Sequence, residues 1–130
     1  MTVVDASAIV GILTSDPEYP SLADALGGAS LEAPIQLDLE VVSALRGMAR
    51  VGRLTDDQCG AAIATLRSAP IHRHPHLPLL DRIWELRHNV TPYDAAYVAL
   101  AERLGATLVT GDRRLAQAPG VRCRVEVVGG

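Results

Sequence analysis

The sequence predicts an α/β fold in which helices cover a parallel sheet. Short apolar runs typical of buried strands alternate with longer segments of helical periodicity along the chain. Strands separated by helices form parallel sheets with right-handed crossovers. The 130 residues, 48% of them hydrophobic, match one ordinary domain that folds without a disulfide or structural metal. We therefore expect a single domain over residues 1–130.

In the amino-terminal half, one strand and four helices are predicted. Residues 2–4 form a buried strand and residues 6–13 a helix, followed by a weak helix over 20–26. Residues 35–50 form an amphipathic helix, because apolar side chains recur at helical spacing: Leu39, Val42, Leu45 and Ala49. Thr55 and Gln58 form a capping box that opens a helix reaching residue 67.

The carboxyl-terminal half continues the alternation. Residues 71–74 can form a strand and residues 77–87 a helix. Thr91 and Pro92 have the N-cap and N1 pattern of a helix start, and Gly105 is suited to its end. A strand over 107–110, a short helix over 113–117 and a last strand over 124–128 complete the prediction.

Composition excludes several classes of protein. The net charge of −3 disfavours a protein that coats nucleic acid through a broad positive field. All twelve basic residues are Arg, so the Lys that a Walker-type phosphate loop or a phospho-receiver requires is missing. No export signal or membrane span is recognisable, so we expect a cytoplasmic protein. Cys59 and Cys123 lie far apart and are expected to be free thiols.

Two acidic residues follow predicted strands at the edge where parallel sheets bind ligands. Asp5 follows the first strand and Asp112 follows the strand over 107–110. Glu40 and Asp94 lie in predicted helices, and the pattern alone does not determine whether they join the other two. Four converging carboxylates would form a hard oxygen site for Mg2+, which can activate water against a phosphodiester.

The motifs around these acids also resemble those of a known family. They are strand-Asp-x-Ser at Asp5, E-V-x-S-A-L-R at Glu40, T-x-Y-D-A-A-Y-V-A-L-A at Asp94 and T-G-D-x-x-L at Asp112. In combination they resemble a PIN domain, most closely the VapC-type ribonuclease toxins. The resemblance implies a three-layer α/β/α fold with a mainly parallel sheet. It further implies an endoribonuclease dependent on Mg2+ or Mn2+, a homodimer, and a VapB-type antitoxin that blocks the site.

The resemblance assigns the catalytic quartet to Asp5, Glu40, Asp94 and Asp112. We expect Asp5, Asp94 and Asp112 to hold the metal, with Asp5 and Asp112 as direct ligands, because strand ends position side chains rigidly. Asp94, like Glu40, would bind through water or a second ion. Ser7 and Thr110 are expected to be supporting polar residues.

Arginines near these motifs are candidates for contacting RNA. Arg46 shares a predicted helix face with Arg50 and Arg53, and Arg113 directly follows Asp112. A guanidinium group suits phosphate through paired hydrogen bonds. The alternative for these arginines is a solvated face with salt bridges.

Other interpretations stay open. Asp5 and Asp112 can be ordinary N-caps, and Asp94 can be a first-turn acid of its helix. A non-catalytic RNA-binding or regulatory module of the same fold is the main functional alternative. The alternating residues His72, His74 and His76 leave a zinc site conceivable, although Pro75 interrupts the strand and no fourth ligand is evident.

Overall fold

Five parallel strands form one sheet in the computed structural model, which describes residues 1–14 and 16–129 apart from the side chains of Ala23 and Leu26. The strands are β1 (Thr2–Val4), β2 (Leu31–Pro34), β3 (Ile71–His74), β4 (Thr107–Thr110) and β5 (Val125–Val127). Their order across the sheet is β3-β2-β1-β4-β5, and every pairing is parallel. The predicted α/β class is confirmed.

Helices connect the strands in the described residues. They are α1 (Ala6–Leu13), α2 (Leu22–Leu26), α3 (Leu37–Arg50), α4 (Asp56–Ser68), α5 (Leu80–Glu85), α6 (Pro92–Leu104) and α7 (Arg113–Gln117), with a 3-10 turn at Leu77–Leu79. Helices α1, α3 and α4 pack together, whereas α5 packs on α6. Right-handed crossovers in opposite directions place these two groups on opposite faces of the sheet. None of these helices is long and apolar enough to span a membrane.

Helix α6 lies at the centre of the core. Its residues from Ala95 to Ala101 are all buried, and the helix contacts β1, β2 and β4. Four of these seven residues are Ala, which lets the helix approach the sheet closely. The predicted ends are confirmed: the Thr91 side chain accepts the Asp94 amide, and Gly105 closes the helix with a left-handed φ of 63°.

The predicted helix is confirmed as α3, but its predicted apolar stripe is wrong at Leu39 and Val42. Leu39 is 76% exposed and Val42 is 41% exposed. The buried residues are Leu37, Val41 and Leu45, which are spaced by four, and of these only Leu45 belongs to the predicted stripe. Apolar residues lie on more than one face of α3. The periodicity therefore predicted a stripe that is shifted around the helix from the face that packs on the core.

Strand β2 was not predicted from the sequence. Its residues Leu31–Pro34 are all buried, including the carboxyl-bearing Glu32. A buried Glu and a terminal Pro disguise the strand, because both residue types are depleted in strands. The strand determines the topology of this half of the sheet. Because β2 lies between β1 and β3, the crossovers from β1 to β2 and from β2 to β3 run in the same direction.

The neighbouring strands β1 and β4 mark the point where the strand order reverses. From β1 the chain crosses toward β2 and β3, and from β4 it crosses toward β5 on the other side. In open parallel sheets such a reversal opens a crevice beyond the carboxyl ends of the strands. Asp5 and Asp112 follow these two strands, so the fold places them beside this crevice.

Candidate active site

Asp5 is a buried carboxylate at the end of β1, with 5% of its surface exposed. Its amide donates to the Val109 carbonyl at 3.1 Å, which extends the pairing of β1 with β4. Its Oδ1 accepts the Ala8 amide at 3.0 Å, so Asp5 also caps α1. The capping role predicted as an alternative is therefore real, and one side-chain oxygen performs it.

Ser7 and Thr110 hold this carboxylate from both sides. The Ser7 hydroxyl donates to Oδ1 of Asp5 at 2.6 Å, and the Thr110 hydroxyl donates to Oδ2. The Ser7 oxygen accepts the Gly111 amide at 2.8 Å, and the Thr110 oxygen accepts the Asp112 amide at 3.0 Å. The network joins the end of β1 to the turn after β4. It places Ser7 and Thr110 next to the acid that they were predicted to support.

Asp112 caps the short helix α7. Its Oδ1 accepts the Arg114 amide at 2.9 Å, and the Arg114 Nε lies 3.4 Å from the same oxygen. The Asp112 side chain is 35% exposed, whereas that of Arg114 is 92% exposed. An ion pair in this setting is weak, so Arg114 neutralises Asp112 only slightly.

Glu40 and Asp94 reach the site from opposite faces of the sheet. Glu40, on α3, accepts a 2.8 Å hydrogen bond from the hydroxyl of Tyr97, whose side chain on α6 is buried. Asp94 lies in the first turn of α6, and its carboxylate interacts with Thr91. Asp94 and Asp112 line the same cleft.

The four carboxylates lie near one another, joined by the Asp5–Thr110–Asp112 contacts and by the cleft that Asp94 shares with Asp112, and their charges act on one another. Burial raises the pKa of Asp5, Glu40 and Asp94. The charge of Asp112 raises the pKa of Asp5 and of Asp94, and the charges of Asp94 and Asp5 raise that of Glu40. Acids that influence one another this way share a site. The fold thus brings together all four acidic residues of the predicted quartet.

The carboxylates suit a divalent cation in chemistry but not in their present orientation. Within residues 1–14 and 16–129, no group of three or more His, Cys, Asp or Glu side chains is arranged to hold a metal ion. Asp5 and Glu40 face hydroxyl donors, and Asp112 faces the amide of α7. In the same part of the chain, no ion pair neutralises Asp5, Glu40 or Asp94. Hard oxygen donors with little compensating positive charge fit Mg2+ or Mn2+.

The predicted basic residues take different positions. Arg46 is exposed on α3, but Arg53 does not share its helix face, because α3 ends at Arg50 and Gly52 turns the chain with a φ of 76°. Arg113 lines a cleft with Val127 and Gly129. A role in RNA binding stays a prediction for both Arg46 and Arg113.

The alternating histidines meet a buried partner that the sequence did not indicate. His72 Nδ1 lies 2.9 Å from Glu32 Oε2, and His74 Nε2 lies 3.6 Å from Glu32 Oε1. Strand register pairs Glu32 with His72. Neither Glu32 Oε2 nor His74 Nε2 forms a hydrogen bond of good geometry in the described structure. As for the quartet, the present geometry is not that of a metal site.

Tyr19 is a neighbour of the site that sequence reasoning missed. A Cβ added to Gly111 would lie 2.6 Å from the Tyr19 hydroxyl oxygen and 3.1 Å from Ser7 Oγ. The same ring packs directly on Gly11 and Gly129. Burial raises the pKa of Tyr19, and nearby charges, including that of Asp5, contribute. Only the three glycines could have indicated this position, and they are far apart in sequence.

Comparisons with known proteins agree with the fold. The family model described as PIN domain matches residues 2–121. The chain therefore belongs to the PIN-domain family. Within it, the chain is similar to Ribonuclease VapC1 of Mycobacterium tuberculosis, with 43% identity over 97% of this chain and 96% of the relative.

Solved structures carry the same fold. PAE2754 from Pyrobaculum aerophilum superposes with a TM-score of 0.69 and 27% identity, over 97% of this chain and 83% of that one. VapBC2 from Rickettsia felis, in a crystal structure with a DNA fragment from its promoter, gives a TM-score of 0.68 at 13% identity, over 98% of each chain. The parallel sheet and its flanking helices are thus shared with these solved structures.

Proposed function

We propose that this protein is a Mg2+- or Mn2+-dependent endoribonuclease that acts as the toxin of a type II toxin–antitoxin pair. Its cleavage of RNA would inhibit translation and growth in the cytoplasm. The observation that carries the proposal is the convergence of Asp5, Glu40, Asp94 and Asp112 beside the crevice at the β1 and β4 ends. The near full-length similarity to a ribonuclease supports RNA as the substrate.

Asp5, Asp94 and Asp112 would hold the cation, with Glu40 beside them. When bound, the cation would activate water and offset charge at the phosphate. Ser7 and Thr110 fix the Asp5 carboxylate through their hydroxyl protons, and Tyr97 fixes Glu40. These hydrogen bonds hold Asp5 and Glu40 in place in the metal-free protein, and the carboxylates would turn toward the cation when it binds, because their present arrangement is not that of a metal site.

The partners in this proposal are a VapB-type antitoxin, a second copy of the chain and the RNA. The resemblance to VapC proteins supports the first two, and VapBC2 is a solved structure of related fold. Co-expression with a candidate VapB-type antitoxin, followed by co-purification, tests for the antitoxin. Light scattering of the isolated protein tests for the homodimer, and a purely monomeric sample would remove it.

Cleavage of RNA by the purified protein tests the catalytic proposal. We expect cleavage with Mg2+ or Mn2+ and none with EDTA. Asp5→Asn and Asp112→Asn should abolish cleavage while retaining the fold, because Asn caps helices about as well as Asp. Cleavage that survives both substitutions would refute the mechanism. Metal-independent RNA binding without cleavage would instead identify a non-catalytic RNA-binding module.

A further inference from the structure

A cleft of about 470 Å3 opens directly from the acidic site. Asp94 and Asp112 belong to one part of its lining. The remainder carries hydrogen-bond donors from the segment before α6 and from α7, namely Arg87, His88, Asn89 and Arg114. One cavity therefore joins cation-binding carboxylates to cationic groups.

The Arg87 guanidinium is positioned but not neutralised. Its Cζ lies 4.3 Å from the centroid of the Trp84 ring, and its Nη1 donates to the Trp84 carbonyl at 2.9 Å. Trp84 is 67% exposed. Among residues 1–14 and 16–129, Arg87 forms no ion pair with a carboxylate. A cation held in place without a counter-charge is available to an anion.

Arg114 is available for a different reason. Its side chain is 92% exposed, and its contact with Asp112 is 3.4 Å long. Exposed ion pairs of this kind contribute little free energy. Arg114 would therefore lose little stabilisation if it left Asp112 and bound a phosphate oxygen. By contrast, Arg73 forms a hydrogen bond with Asp38, and Arg82 forms one with Glu102. These two arginines are therefore already paired with carboxylates away from the cleft.

We propose that this cleft binds the nucleotide adjacent to the bond that is cut, with Arg87 and Arg114 contacting backbone phosphate. This inference rests on the proposed ribonuclease function. The negative substrate must approach a cluster of negative side chains, and two cations beside the cluster offset that repulsion. The cleft has the volume of a small-ligand pocket, which suits a single unstacked nucleotide rather than a duplex.

Binding of a short fluorescent single-stranded RNA tests the proposal. The full chain carrying Asp5→Asn serves as the parent, because it should bind without cutting and leaves the cleft lining unchanged. Adding Arg87→Ala or Arg114→Ala should weaken binding about tenfold each, the effect of losing a hydrogen bond between charged groups. Each loss should also reduce the slope of log affinity against log salt by about 0.7. Lys at either position should keep most of the slope.

Arg124→Ala is the matched control. Arg124 is 77% exposed and paired with Glu126, and its carbonyl accepts from Leu108 near the amino-terminal edge of the sheet. This substitution removes the same charge far from the acids and should leave affinity and salt slope unchanged. If Arg87→Ala and Arg114→Ala behave like Arg124→Ala, the cleft is not the RNA site. Selective weakening supports the cleft even in a protein that cuts no RNA, in which case only the catalytic proposal fails.

Discussion

The Tyr97 hydroxyl donates a 2.8 Å hydrogen bond to Glu40, joining the core helix α6 to the acidic site. Helices α3 and α6 lie on opposite faces of the sheet. This hydrogen bond therefore connects the two faces just beyond the carboxyl ends of the strands. The hydrogen bond favours the charged form of Glu40, against the burial that raises the pKa of this residue. It gives the residue a fixed orientation that a helix surface alone would not provide.

Tyr97→Phe should impair catalysis more than folding. The ring stays in the core, but Glu40 loses a donor and its pKa rises further. We expect RNA cleavage to fall about tenfold and the free energy of unfolding to fall by about 1–2 kcal/mol, measured by initial rates and urea denaturation. Tyr93→Phe is the control, because Tyr93 is 64% exposed and its hydroxyl has no hydrogen-bond partner among the described residues. Equal activity of the two variants would contradict a role for the Tyr97 hydroxyl.

Leu37→Ala and Leu39→Ala should differ sharply in stability. Leu37 is fully buried, so its truncation should lower the free energy of unfolding by about 2–5 kcal/mol. Leu39 is 76% exposed, and its truncation should change stability by no more than about 0.5 kcal/mol. Denaturant titration of both proteins measures the difference. A larger loss of stability for Leu39→Ala than for Leu37→Ala would instead support the apolar stripe predicted from the periodicity.

Gly11→Ala should destabilise the protein, although Ala normally favours a helix over Gly by about 1 kcal/mol. A Cβ at Gly11 would lie 2.5 Å from Tyr19 Cγ, and the same ring also packs on Gly111 and Gly129. Overpacking of this kind lowers stability by about 1–3 kcal/mol. Tyr19→Ala should remove the penalty, so the double variant should be more stable than the sum of the single effects. Strict additivity in this cycle would argue against the contact.

Glu102 should stabilise the fold in a pH-dependent way. Burial alone would raise its pKa, but hydrogen bonds from the Arg82 side chain and the Arg122 amide outweigh burial and lower the pKa below the usual 4.5. An acid with a lowered folded-state pKa stabilises the protein above its unfolded pKa and loses this contribution as pH falls through the folded value.

Glu102→Gln should therefore lower the free energy of unfolding by about 1.5–3 kcal/mol at neutral pH, the range for hydrogen bonds to charged groups. The difference from the wild-type protein should shrink as the pH falls below 4.5. Urea titrations at neutral and acidic pH measure it. Glu85→Gln is the control, because Glu85 also pairs with Arg82 but is 59% exposed. A gap that widens in acid would contradict the assigned direction of the pKa shift.

Local sequence signals predicted most of the fold. Caps such as Thr55 and Thr91 act within a few residues, so their helix starts followed from the sequence alone. Strand β2 did not, because Glu32 and Pro34 carry no strand signal and their burial depends on neighbouring strands. Within α3, the choice between apolar faces likewise depends on what the helix packs against.

Sequence patterns alone could place only two of the four acidic residues at the site. Asp5 and Asp112 follow strands, so sheet topology alone brings them to one edge. Glu40 joins them through its contact with Tyr97, across 57 residues of sequence, and no local pattern encodes that contact. The cleft lined by Arg87 and Arg114 was not predicted for a similar reason. It lies between the segment before α6 and the start of α7, which meet only in the folded chain.

Binding of Mn2+ to the metal-free protein tests most directly whether the four carboxylates form a cation site. Calorimetric titration of the wild-type protein should show binding, accompanied by a rise in the melting temperature as the charge repulsion is relieved. Asp112→Asn retains a capping side chain but removes one negative ligand, and it should bind Mn2+ much more weakly. Equal Mn2+ binding by the wild-type protein and Asp112→Asn, or no binding by either, would contradict the account.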